Sequence, residues 1–114
     1  MKGRLVALVA LVYGPGALAH VGDRGMDYGN YKDRRGISCC GNTDCQPAAD
    51  YVDSGPDLVR LLVDGIWFTV PRYFVIAEDA TDGRAHWCGR MISVGTQGER
   101  APVTACVILP PRNT

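Results

Sequence analysis

An Asp-Gly pair at positions 64 and 65, set between two apolar runs, constrains the fold of this chain more than any other stretch. It lies within DLVRLLVDGIWFTVP, residues 57 to 71. A two-residue type I′ hairpin turn needs positive φ at both central positions, which Asp and Gly tolerate better than bulkier residues. The turn fixes the register: Val63 opposite Ile66, Leu61 opposite Phe68, and Val59 opposite Val70, six apolar residues on one face. The other face pairs Leu62 with Trp67 and Arg60 with Thr69, a mixed and half-exposed set. A slip of one residue would scramble this sorting, so the register is strongly specified.

Around that hairpin the chain reads as further short strands. Pro71 cannot donate to a ladder and ends the second strand. Tyr73 to Ile76, Arg84 to Cys88, Met91 to Val94 and the β-branched run VTACVIL at 103 to 109 read as strands. EDATDG carries a second Asp-Gly turn, Gly95 to Pro102 is a loop, and Pro110-Pro111 stops the last strand. Fourteen glycines and seven prolines punctuate the chain, and no segment sustains helical periodicity. Residues 20 to 37 are polar and glycine-rich, with Tyr28 and Tyr31 as their large rings, and read as an irregular arm wrapping the domain rather than forming its core. The expected fold is mainly β: a small antiparallel sheet or half-open barrel with an irregular N-terminal arm, stabilised by disulfides. The expected organisation is a signal peptide at 1–19, the arm with its cysteine cluster at 20–46, and the β domain at 47–114.

The opening, MKGRLVALVALVYGPGALAH, has Lys2 and Arg4 ahead of an apolar run from Leu5. Gly14-Pro15-Gly16 interrupts that run, and Ala17-Leu18-Ala19 supplies small residues for cleavage, the pattern of an export signal. A membrane-spanning helix needs about 20 apolar residues, more than this run provides. Cleavage after Ala19 would leave 95 residues and remove two basic side chains, leaving ten basic against twelve acidic. That balance lacks the basic face that nucleic acid requires. The expected location is periplasmic or secreted.

In an exported chain of this size, Cys39, Cys40, Cys45, Cys88 and Cys106 read first as disulfide partners. A domain this small buries only about 60 to 65% of its unfolded surface and starts marginal. A bridge from the 39–45 cluster to Cys88 or Cys106 would close a long loop and contribute roughly 4 kcal/mol by chain entropy. Adjacent Cys39 and Cys40 are expected to find separate partners, with Cys88 and Cys106 each taking one cysteine of the cluster. Fifteen connectivities remain open, and the odd count leaves one thiol, either buried and inert or available for a disulfide-linked dimer.

Two chemical alternatives compete with the staples. Cys40 and Cys45 have zinc-like spacing, and His86 with Cys88 could add ligands. A mature His20 terminus together with His86 would suit copper(II). A thiol-redox protein is the other alternative, although redox pairs usually sit as Cys-x-x-Cys at a helix start. Catalytic signatures are weak: Ser38, Ser54 and Ser93 lie outside any nucleophile motif, and Asp79 and Asp82 are explained by turn chemistry. Trp67, Tyr73, Phe74 and Trp87 could form an exposed aromatic patch, although small β domains usually bury such rings.

Four blocks in order, Gly36 to Pro47, Asp64 to Pro71, Asp82 to Cys88 and Cys106 to Pro111, together span most of the mature chain. In these blocks the sequence resembles small exported, cysteine-containing proteins of alphaproteobacteria. The resemblance implies an exported, disulfide-bearing domain and assigns no catalytic residue. The sequence therefore points to a non-enzymatic accessory or binding module, without a cofactor, meeting a protein or small ligand of the cell envelope. A copper or zinc binder and a thiol-redox protein are the alternatives.

Overall fold

The computed structural model of the protein describes residues 27–41 and 43–111. They form two three-stranded antiparallel sheets that do not close into a barrel. The first is ordered β1-β5-β6, from β1 (Asp44–Pro47), β5 (His86–Val94) and β6 (Glu99–Ile108). The second is ordered β2-β3-β4, from β2 (Asp50–Asp53), β3 (Leu58–Val63) and β4 (Ile66–Pro71).

The hairpin has the register that its turn demands, with Val63 paired to Ile66, Leu61 to Phe68 and Val59 to Val70. Asp64 and Gly65 both take positive φ, 53° and 77°. Val59, Leu61, Val63 and Val70 are buried, whereas Arg60, Trp67 and Thr69 on the opposite face are exposed. Period-2 alternation has thus sorted the side chains, as a half-buried strand requires.

The β1-β5-β6 sheet is the shared wall of the molecule. Trp87 and Val107, cross-strand partners, join the aliphatic core with Val59, Leu61, Val63 and Val70 of the other sheet. Phe68 meets the Trp87 ring edge-on at 5.4 Å between centroids, tying the two sheets together. Their sequence neighbours point the other way: Cys88, Cys106 and Ile108 form a second core with Tyr28, Tyr31, Cys39 and Cys40 of the arm. The register slips between Cys88 and Gly89, so Ala105 has no direct partner across the ladder. Gly89 is required there, because a Cβ would overlap the Val103 carbonyl and the Trp87 ring.

Several local expectations need correction. The arm contributes Tyr28 and Tyr31 to a core instead of merely wrapping one. Its backbone is tied by Cys39 N–H to the Tyr31 carbonyl at 3.0 Å and by a bridge between Lys32 and Ser38. Tyr73 to Ile76 does not form a strand: Arg72–Phe74 makes a 3₁₀ turn, closed by Val75 N–H to the Arg72 carbonyl at 2.9 Å. Val75 then bridges Val107 in parallel. The two short strands placed around residue 89 are one continuous nine-residue strand, β5, because its bulge bends the ladder without ending it. The last strand starts at Glu99, four residues before the β-branched run. β1 and β2 add two strands to those the sequence pattern predicts, and β1 straddles the 46/47 boundary between arm and β domain. The segment 1–19 and His20 lie outside the described residues, among which no helix is long and apolar enough to cross a membrane.

Candidate functional site

Both bridges run from the cluster to the central sheet. Cys39 is joined to Cys106 and Cys45 to Cys88, with sequence separations of 67 and 43 residues. Cys88 and Cys106 each take one cluster cysteine, and the adjacent cysteines have different fates. Antiparallel pairing explains the second bridge, since Cys45 on β1 stands directly across from Cys88 on β5. Cys40 keeps its thiol and is buried. Its Sγ lies 2.9 Å from Cys45 Sγ, and the sulfurs of Cys40, Cys45 and Cys88 all fall within 4.8 Å of one another. Desolvation pushes the Cys40 pKa up to about 11, and the carboxylates of Asp44 and Asp27 push the same way.

His86 sits on the same side of the sheet, fully buried, with both ring nitrogens engaged. An ionised Asp82 carboxylate only accepts hydrogen bonds, so it takes the Nε2 proton, at 2.8 Å to Oδ1 and 3.0 Å to Oδ2. Nδ1 is then left to accept from the Tyr28 hydroxyl at 2.7 Å. The Asp82 pKa reflects opposing effects. Desolvation raises it, but hydrogen bonds from His86 and from the Arg84 N–H outweigh that and hold it below the usual carboxylate value. Asp82 therefore does the turn work expected of it and also anchors a buried histidine. In this arrangement His86 offers no lone pair to a metal, and Cys88 spends its sulfur in a disulfide. The three clustered sulfurs are the metal-like constellation among the described residues, and two of them are already bonded to each other.

The aromatic residues divide. Trp87 is 1% exposed, and its indole N–H donates to Thr104 Oγ1 at 2.8 Å, so it lies in the core. Trp67 is exposed on the hairpin's outer face, under the guanidinium of Arg60 at 4.8 Å from the ring centroid. Tyr73 is 58% exposed and packs edge-on against Phe74 at 5.3 Å. The Arg34 guanidinium lies 5.0 Å over the Tyr73 ring, and its Nε donates to the Tyr73 carbonyl at 2.9 Å. These groups line a cleft of about 240 Å³ with Asp33, Arg35, Ile76, Thr104 and Ala105.

Charge within the cleft is unevenly used. The Ile37 N–H and the Arg35 side chain hold the Asp33 carboxyl below its usual pKa, so it stays ionised. Arg35 in turn donates to Asp33 through Nε at 3.2 Å and Nη2 at 2.9 Å. That pair neutralises itself, and Arg34 supplies the remaining positive charge beside Tyr73. Nothing in the local sequence marks this part of the site, because the partner ring of Arg34 lies almost forty residues away. No protein-family model, curated protein or solved structure matches the chain.

Proposed function

We propose that the protein is an exported, non-enzymatic binding domain whose ligand docks in the cleft between the arm and the 3₁₀ turn. One observation carries this reading: an exposed tyrosine ring is held under a guanidinium beside a cleft lined by both charged and apolar side chains. A small-molecule site needs a few oriented polar groups beside apolar surface, and Arg34 next to Tyr73 and Phe74 supplies that pair of features in a cleft whose lining is otherwise mixed. The ligand class that fits is a carboxylate beside a flat apolar group, free or at the end of a peptide. The carboxylate pairs with Arg34 while the flat group lies against Tyr73 and Phe74. Export is supported by the signal-like opening and by two disulfides, which persist in oxidising compartments.

The test is a titration of the isotope-labelled protein with 3-phenylpropionate, followed by amide chemical shifts. Saturable shifts are expected at residues 33–35, 73–76 and 104–105, lost in Arg34→Ala and reduced in Tyr73→Ala. Shifts spread evenly over the surface, or unchanged in both variants, would remove the cleft as the site.

A further inference from the structure

The sulfur cluster has no part in the binding reading. Cys40 lies in the loop that delivers β1, five residues before Cys45, and its sulfur is 2.9 Å from one end of an existing disulfide. Disulfides exchange when a thiolate attacks one sulfur of the bond and displaces the other. The attacking group, the attacked sulfur and the leaving sulfur are all present here in one chain, within 4.8 Å.

We propose that Cys40, Cys45 and Cys88 form a thiol–disulfide exchange site in which the bridge passes between Cys45–Cys88 and Cys40–Cys45. The Cys40 thiol gives its proton to solvent base, and the thiolate bonds to Cys45 Sγ. The Cys45–Cys88 bond breaks, its electron pair leaves on Cys88 Sγ, and that sulfur takes up a proton. One thiol and one disulfide stand on each side, so no oxidant or reductant enters. Cys39–Cys106 is untouched throughout.

The two isomers differ in what they hold. With Cys45–Cys88 closed, the edge strand β1 is covalently fixed to β5. With Cys40–Cys45 closed, the bridge spans a short ring within the arm's own loop, and β1 stays on the sheet by its ladder alone. Arm and sheet then share the single tie at Cys106. The exchange is slow near neutrality, because burial and the carboxylates of Asp44 and Asp27 hold the Cys40 thiol protonated up to about pH 11. Its rate rises about tenfold per pH unit below that value, in step with the thiolate fraction.

Peptide mapping tests this directly. The oxidised protein is held between pH 7 and pH 10, quenched in acid, denatured, alkylated on its free thiol and digested with trypsin. Cys39, Cys40 and Cys45 lie on peptide 36–60, Cys88 on peptide 85–90 and Cys106 on peptide 101–112. Before exchange the label sits on Cys40, and peptide 85–90 is crosslinked. After exchange, peptide 85–90 is released and carries the label. Its appearance should be first order, independent of protein concentration, faster by about tenfold per pH unit, and absent in Cys40→Ser. A second variant, Cys88→Ala, should contain a Cys40–Cys45 bridge and no free thiol. Label confined to Cys40 at every pH, release that persists in Cys40→Ser or depends on concentration, or two free thiols in Cys88→Ala would each overturn the proposal.

Discussion

The two cores that share the β1-β5-β6 wall are assembled differently. On one side, Val59, Leu61, Val63 and Val70 come from a tight hairpin and meet Trp87 and Val107 in an aliphatic core. Ordering that hairpin closes only a two-residue turn, so its apolar burial outweighs a small loop entropy. On the other side, the arm brings two tyrosines and a cysteine cluster across long stretches of chain. Its apolar surface is small and its loops are long, and the crosslinks offset much of that entropy by restricting the unfolded chain. One domain thus stabilises its local half by packing and its non-local half by covalent bonds.

The largest expected effect tests the covalent half. Replacing Cys39 and Cys106 together with alanine should cost about 4 kcal/mol in urea unfolding, for a 67-residue separation. Mild reductant should likewise strip amide-exchange protection from the arm, β1, β5 and β6 before β3 and β4. A loss below about 1 kcal/mol, or protection falling equally in both sheets, would erase the distinction between the cores. Next comes the packed half. Leu61→Ala should cost about 3 kcal/mol by the same measurement and leave both bridges intact on peptide mapping. Tyr28→Phe should cost about 2 kcal/mol, since it strands the buried Nδ1 of His86 without its donor. It would show that polar pairing, and not sulfur alone, secures the arm.

The smallest effect is a pH dependence. The Asp82 pKa is lower in the folded protein than in the unfolded chain, where it is about 3.9. Its contribution is therefore fully present above that unfolded value and is lost as pH falls through the folded value. Asp82→Asn should flatten the part of the acid-unfolding curve that lies below about pH 4. A curve of unchanged shape would show that the carboxylate does not hold His86.

What could be read from the sequence follows the same divide. The Asp64-Gly65 turn specified its hairpin down to individual pairs, because turn chemistry and alternation act over a few residues. The two late cysteines drawing partners from the cluster were also legible, since oxidation of a small domain leaves few other uses for them. Which cysteine stayed free was not, because that depends on β1 placing Cys45 opposite Cys88. β1 and β2 are four residues each, with mixed polarity, and strands that short carry little periodic signal. Tyr28 looked like a loop residue because its buried partner, His86, lies 58 positions away. The Arg34–Tyr73 platform was hidden for the same reason.

The slip in the ladder beside Gly89 has a consequence for handedness of presentation along β6. With Ala105 left over, every residue from Glu99 to Thr104 faces opposite to where uninterrupted pairing would turn it. That inversion is what brings the Thr104 hydroxyl beneath the Trp87 indole and turns Val103 outward to water. Deleting one amino acid at 105 would thus do more than shorten a strand: it would exchange the faces on which Glu99 to Thr104 project and carry the Thr104 hydroxyl away from the indole N–H.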